Sequence, residues 1–143
     1  MFSEFNFDKF PLVYVKLNKN VENDEDLDHF FNTWLKLYEN KKHFSFIFNT
    51  LECGLIKIKY AYAVANFIKL LKKNNKVHYL EKSILIINSK WMRYLLKTVF
   101  YVQKPISKVY IVSNIEEAFS VYNSISKNEK IDESINYSFI DNK

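Results

Sequence analysis

The sequence is poor in the residues that interrupt or cross-link a chain. One glycine in 143 residues excludes glycine-rich phosphate loops, dinucleotide-binding fingerprints and collagen-like repeats, because each needs several backbone positions that glycine alone fills well. Two prolines exclude a proline-rich scaffold. The single cysteine, Cys53, excludes an internal disulfide framework and a cysteine-based zinc cluster, and it fits a reducing compartment. Arg93 is the one arginine among 21 basic residues. Nucleic-acid surfaces concentrate charge and use arginine for bidentate contacts. Here the lysines are scattered, with one denser run at Lys69, Lys72, Lys73 and Lys76. The net charge of +5 and pI of about 9.1 therefore read as solvated surface and as A+T-rich codon usage, of the kind found in a large DNA virus or an A+T-rich protist. No specific nucleic-acid site is expected. No stretch reaches the ~18 consecutive apolar residues that a membrane span needs. The first five residues have neither the basic nor the apolar region of a signal peptide. The expectation is a cytoplasmic protein, in the host cytosol or the virion if viral.

Hydrophobic residues make up 48% of the chain and charged residues 26%, the balance of a globular protein rather than a disordered one. The length suits one domain. Aromatics at 17% mean that large rings must fill much of the core. Residues 1–10 alternate weakly around Phe5 and Phe7 and read as an edge strand or an arm. A β-branched and aromatic run over residues 12–17 reads as a strand. Asn23 then caps a helix whose first turn is acidic. Leu27, Phe30, Phe31, Trp34, Leu37 and Tyr38 give it one apolar stripe. Residues 44–48 read as a buried strand and 49–54 as a loop. A second helix over 59–74 carries Tyr60, Val64, Phe67, Ile68 and Leu71, with Ala61 and Ala65 allowing close packing on a sheet.

Ser83-Ile84-Leu85-Ile86-Ile87-Asn88 is an unbroken apolar run, as in a strand buried on both faces. Ser89 caps a third helix over 90–103, which Pro105 stops. Residues 109–112 form a further strand. Asn114 and Glu117 have the spacing of a capping box, opening a last helix with Ile115, Ala118, Phe119, Tyr122 and Ile125. Residues 127–143 read as a flexible tail, with a short contact at Tyr137, Phe139 and Ile140. With so little glycine, turns needing positive φ are expected at asparagine, at Asn18, Asn40, Asn74 and Asn75. Strand and helix alternate throughout. The expected fold is therefore α/β: a mainly parallel sheet of four or five strands with flanking helices, joined by right-handed crossovers.

The stretch from Ser83 to Asn88, the helix after it, then Lys108-Val109-Tyr110-Ile111-Val112-Ser113 and Asn114-Ile115-Glu116-Glu117-Ala118-Phe119, resembles the C-terminal half of STAS domains, the relatives of anti-sigma-factor antagonists. The alternation of elements fits over residues 11–125, the residue pattern over about 83–122. The resemblance implies a STAS-like fold and a protein-binding role. In the regulatory branch of that family a phosphorylatable Ser or Thr precedes the second helix. The corresponding stretch here, Leu55-Ile56-Lys57-Ile58-Lys59-Tyr60, has neither, so that switch does not carry over. A weaker resemblance is to the lipid-binding CRAL-TRIO domain, through Tyr79-Leu80-Glu81-Lys82, Ile86-Ile87-Asn88, Trp91 to Gln103 and Pro105. This chain lacks that family's N-terminal helical bundle.

The third helix has two apolar sides. Met92, Leu95, Leu96, Val99 and Val102 make one; Trp91, Tyr94 and Tyr101 lie on the other with Thr98. A surface helix needs one stripe for its own core, so the second is expected to meet a partner, a ligand or a second copy. The candidate interface is Trp91, Tyr94 and Tyr101 with Leu55, Ile56, Lys57 and Lys59 from the preceding loop. His29, His43 and His78 lack ligand spacing, so no metal is expected. Cys53 has no activating neighbour, and the acid pairs 24/26 and 116/117 sit where helix dipoles explain them. Neither catalytic residues nor a cofactor is expected. The expected role is a non-enzymatic interaction or assembly module that binds a protein or itself as a homodimer. The alternative is a small carrier of a lipid or other apolar ligand, which needs a cavity beside the third helix.

Overall fold

The computed structural model describes residues 2–19 and 21–143. Ten elements follow one another: β1 (Ser3–Asn6), β2 (Leu12–Lys19), α1 (Asp24–Glu39), β3 (Phe44–Cys53), α2 (Ile58–Asn74), β4 (Leu80–Ile86), α3 (Lys90–Val102), β5 (Lys108–Val112), α4 (Ile115–Ser126) and β6 (Ser138–Ile140). They build one six-stranded sheet in the order β1-β2-β3-β4-β5-β6. The four middle strands are parallel; β1 and β6 close the two sides antiparallel. The α/β fold with flanking helices stands as the sequence indicates. The strand number is six, because both chain ends join the sheet.

Consecutive strand order has a direct consequence. Each step moves in the same direction, so right-handed crossovers put every connecting helix on the same face. Phe30 and Trp34 of α1, Ala65 and Ile68 of α2, and Leu95 and Val99 of α3 share one core with Val13, Val15, Phe44, Phe46 and Phe48. Helix α4 lies on the opposite face, where Ala118 and Val121 meet Leu12, Ile47, Ile84, Ile86 and Val112.

Three helix starts are fixed by side chains. Asn23 Oδ1 accepts from the Asp26 backbone N–H at 3.1 Å, and Ser89 Oγ accepts from Met92 N–H at 3.3 Å. Asn114 Oδ1 accepts from Glu117 N–H at 2.8 Å, while the Glu117 carboxylate reaches back to the Ser113 N–H at 3.3 Å. Each satisfies backbone donors that the first helical turn leaves open.

The structure departs from the sequence expectations at several points. Strand β3 continues through residues 49–53, expected as a loop. Its polar residues are satisfied in place: Asn49 Nδ2 donates to the Tyr14 hydroxyl at 2.8 Å, and Thr50 Oγ1 donates to the Ile86 carbonyl at 2.6 Å. Residues 127–143 are not a free tail. Ile131 and Ile135 pack on the α4 core, and Ser138–Ile140 pairs with β5. Positive φ falls on Lys19, Lys41 and Asn128; Asn40 is right-handed and Asn75 extended. Phe31 of the first stripe is only partly buried, and it stacks on Phe67 at 4.3 Å, joining α1 to α2. Val102 is exposed rather than part of the α3 core.

Phe46 is fully buried and touches Phe5, Trp34, Phe44 and Phe48. Phe46→Ala is expected to cost about 3–5 kcal/mol, and Phe139→Ala, on the exposed β6, less than about 1 kcal/mol. Urea titration of both variants checks the order; equal losses would place the core elsewhere.

Candidate functional site

The helices on the three-helix face do not fill the space above the sheet. An apolar cavity of about 160 Å³ lies between the layers. Its floor comes from four neighbouring strands: Leu17 of β2, Phe48 and Thr50 of β3, Leu80, Ser83 and Leu85 of β4, and Val109 of β5. Its roof is Leu27, Phe30 and Trp34 of α1, Tyr60, Ala61, Val64 and Ile68 of α2, and Met92, Leu95, Leu96, Val99 and Phe100 of α3. Phe2 and Val21 border one end, and Pro105, Ile106 and Ser107 the other. Among the described residues no charged side chain lines it. Helix period explains the α3 wall: residues 92, 95, 96, 99 and 100 are spaced by three and four and so face the sheet together. On the roof, Ala65 packs tightly as expected, whereas Ala61, one turn earlier, borders the open space.

The sequence-derived interface residues divide. Trp91 Nε1 donates to the Ile56 carbonyl at 2.9 Å, and Ile56 lines the cavity. Trp91 therefore pins residues 54–57 over one end of the space. Tyr94 stacks on Trp91 at 5.5 Å and is half exposed, and Leu55 beside Ile56 is 75% exposed. These four residues gather at one place. Tyr101 does not join them: it is 93% exposed, and seven residues beyond Tyr94 is about 10 Å along a helix. Lys57 caps α2 by position without a side-chain hydrogen bond, and the Lys59 ammonium lies 4.9 Å over the Tyr60 ring.

Sequence reasoning missed Trp34, Ser83 and Ser107 as site residues. Two of them carried a signal: hydroxyls at helix-facing positions around β4 and β5, where a packed core would place larger apolar side chains.

Burial shifts several titratable groups. Burial pushes the Cys53 thiol up to about 12, and its Sγ lies 3.7 Å from the Leu17 carbonyl. Such a thiol is a poor nucleophile at neutral pH. Burial also pushes the Tyr38 hydroxyl up to about 12, and that hydroxyl sits 3.2 Å from His78 Nδ1. His78 is lowered, first by burial and then by Lys72. Among the described residues no group of three His, Cys, Asp or Glu could hold a metal ion, and no helix is long and apolar enough to cross a membrane. No family model, no curated protein and no solved structure matches the chain.

The two raised values set an alkaline limit. The folded state keeps protons on Cys53 and Tyr38 that the unfolded chain releases from pH 9.0 and 10.0 respectively. The unfolded state then binds fewer protons, so stability is whole below about pH 9 and falls as pH rises toward about 12. Chemical denaturation across that window should show the fall, and Cys53→Ala with Tyr38→Phe should flatten it. An unchanged slope in the double variant would contradict the assignment.

Proposed function

We propose that this chain is a non-catalytic binding protein that takes a small apolar ligand between its helices and its sheet. The cavity carries the reading. Protein interiors are close-packed and leave few voids larger than a water molecule, while an apolar cavity of about 150 Å³ takes up benzene. The space here is of that size, about 160 Å³, and most of its wall comes from helices and strands, with loop residues at Val21, Ile56 and Pro105 to Ser107. It lies beside α3, the element whose two apolar sides called for a ligand or partner. The volume fits a small ring or a short chain. A long-tailed lipid of the CRAL-TRIO kind needs more room, so the resemblance to that domain supports the type of ligand and not its length.

Benzene is the simplest probe. At ten times its dissociation constant, a ligand specific to the folded state adds about 1.4 kcal/mol, roughly 3–6 °C in Tm for a chain of this size. Leu96→Trp, which places a large ring in the cavity wall, should retain the far-UV circular dichroism and abolish that rise. An absent benzene response in the parent protein, or an equal response in the variant, contradicts the reading.

A second reading has its own observation. Trp91, Tyr94, Leu55 and Ile56 cluster beside the cavity with Leu55 and Tyr94 exposed, and exposed aromatics at one place suit an interface. This supports a STAS-like protein-binding or self-associating module, in line with the alternating elements over residues 12–126. Trp91→Ala with Tyr94→Ala should lower the sedimentation coefficient of any dimer and leave the fold intact. An unchanged sedimentation profile removes this reading.

A further inference from the structure

We infer that the ligand is a small uncharged molecule with one hydrogen-bond acceptor, a ketone or aldehyde in type, held with that acceptor toward Ser107 or Trp34. The inference rests on the cavity being a ligand site, as proposed above. It starts from two polar atoms. Trp34 Nε1 and Ser107 Oγ are buried and have no hydrogen-bond partner among the described residues; the residues are only 5% and 7% exposed. Both residues line the cavity. A buried donor without a partner is costly, and such groups in folded proteins usually have a reason. An indole N–H only donates, and a serine hydroxyl can donate, so an acceptor satisfies either.

Strand register places the two groups over the same floor. The Trp34 ring packs on Phe46 at 5.1 Å between centroids. Phe46 stands opposite Ser83, and Ser83 opposite Val109, two residues past Ser107. Adjacent strands are about 4.8 Å apart, so the row from Phe46 to Val109 spans roughly 10 Å, and a small molecule meets one donor or the other. At Phe2, Val21 and Ile56 the lining also includes Tyr60, whose hydroxyl is not among the orphaned buried groups.

The same lining excludes charge. With no cationic side chain among the described cavity residues, a carboxylate would lose its hydration without an ion partner, at a cost that two neutral donors do not offset. A pure hydrocarbon would enter, but would leave both donors unpaired. An uncharged carbonyl compound meets both conditions.

Acetophenone, cumene and benzoate have equal numbers of non-hydrogen atoms and differ in the group on the ring. Their binding to the full chain can be read by calorimetry. Acetophenone should bind about fivefold tighter than cumene, the worth of one ordinary hydrogen bond, and benzoate should not bind. The double variant Ser107→Ala with Trp34→Phe, which removes both donors, should bring acetophenone down to the cumene level while cumene binding persists. Equal binding of acetophenone and cumene overturns this inference and leaves the cavity reading standing. So does tighter binding of benzoate, or a preference that survives both substitutions. Failure of all three probes overturns both.

Discussion

The structure depends on one mismatch of widths. Consecutive strands sit about 4.8 Å apart, but packed helices need 8–10 Å between axes. Because the strands follow chain order, α1, α2 and α3 all land on one face. Side by side they need roughly 16–20 Å between the outer axes, and the four parallel strands offer only about 14 Å. The antiparallel additions β1 and β6 widen the sheet to about 24 Å. Contacts show them doing so: Phe2 and Phe5 of the N-terminal segment meet Phe30 of α1, and Ile140 of β6 packs with Met92, Leu96 and Phe100 of α3.

The same crowding accounts for the aromatic content and for the cavity. Helices that cannot nest closely over strand pairs stand off from the sheet, and large rings span the gap. Phe30, Trp34, Phe46, Phe48 and Phe67 form a connected set of edge-on and tilted contacts between 4.6 and 6.4 Å. Phe30, Trp34 and Phe48 of this set border the cavity, which continues toward α3 past the smaller Ala61 of α2, Ser83 of β4 and Ser107. In doubly wound sheets ligands sit where strand order reverses, at the sheet's carboxyl edge. This sheet has no reversal, and its cavity lies between the layers instead.

Regular features were legible in the sequence because periodicity and capping are local. The stripe at Leu27, Phe30, Trp34 and Leu37 buries as spaced, and Asn23, Ser89 and Asn114 cap as their positions imply. Features that depend on distant partners were not legible. Asn49 and Thr50 look like turn residues until Tyr14 and the Ile86 carbonyl are placed beside them. Ser138–Ile140 is too short to announce a strand and becomes one because β5 presents an unpaired edge. The turns at residues 19 and 41 came one position after the expected asparagines. Of the candidate site, Ile56 and Trp91 were within reach, each lying next to a helix start that local signals mark. The cavity was not, since an unfilled volume is a sum over three helices and four strands, and no window of sequence contains it.

Xenon enters dry apolar cavities of this size without needing hydrogen bonds, so it tests the standoff between layers independently of ligand chemistry. Methyl spectra recorded under xenon pressure should show saturable shifts at Leu17, Leu85, Leu96 and Val99, which line the space, and none at Leu12 and Val121 on the opposite face. Unsaturable shifts throughout, or shifts centred on the α4 face, would contradict the account.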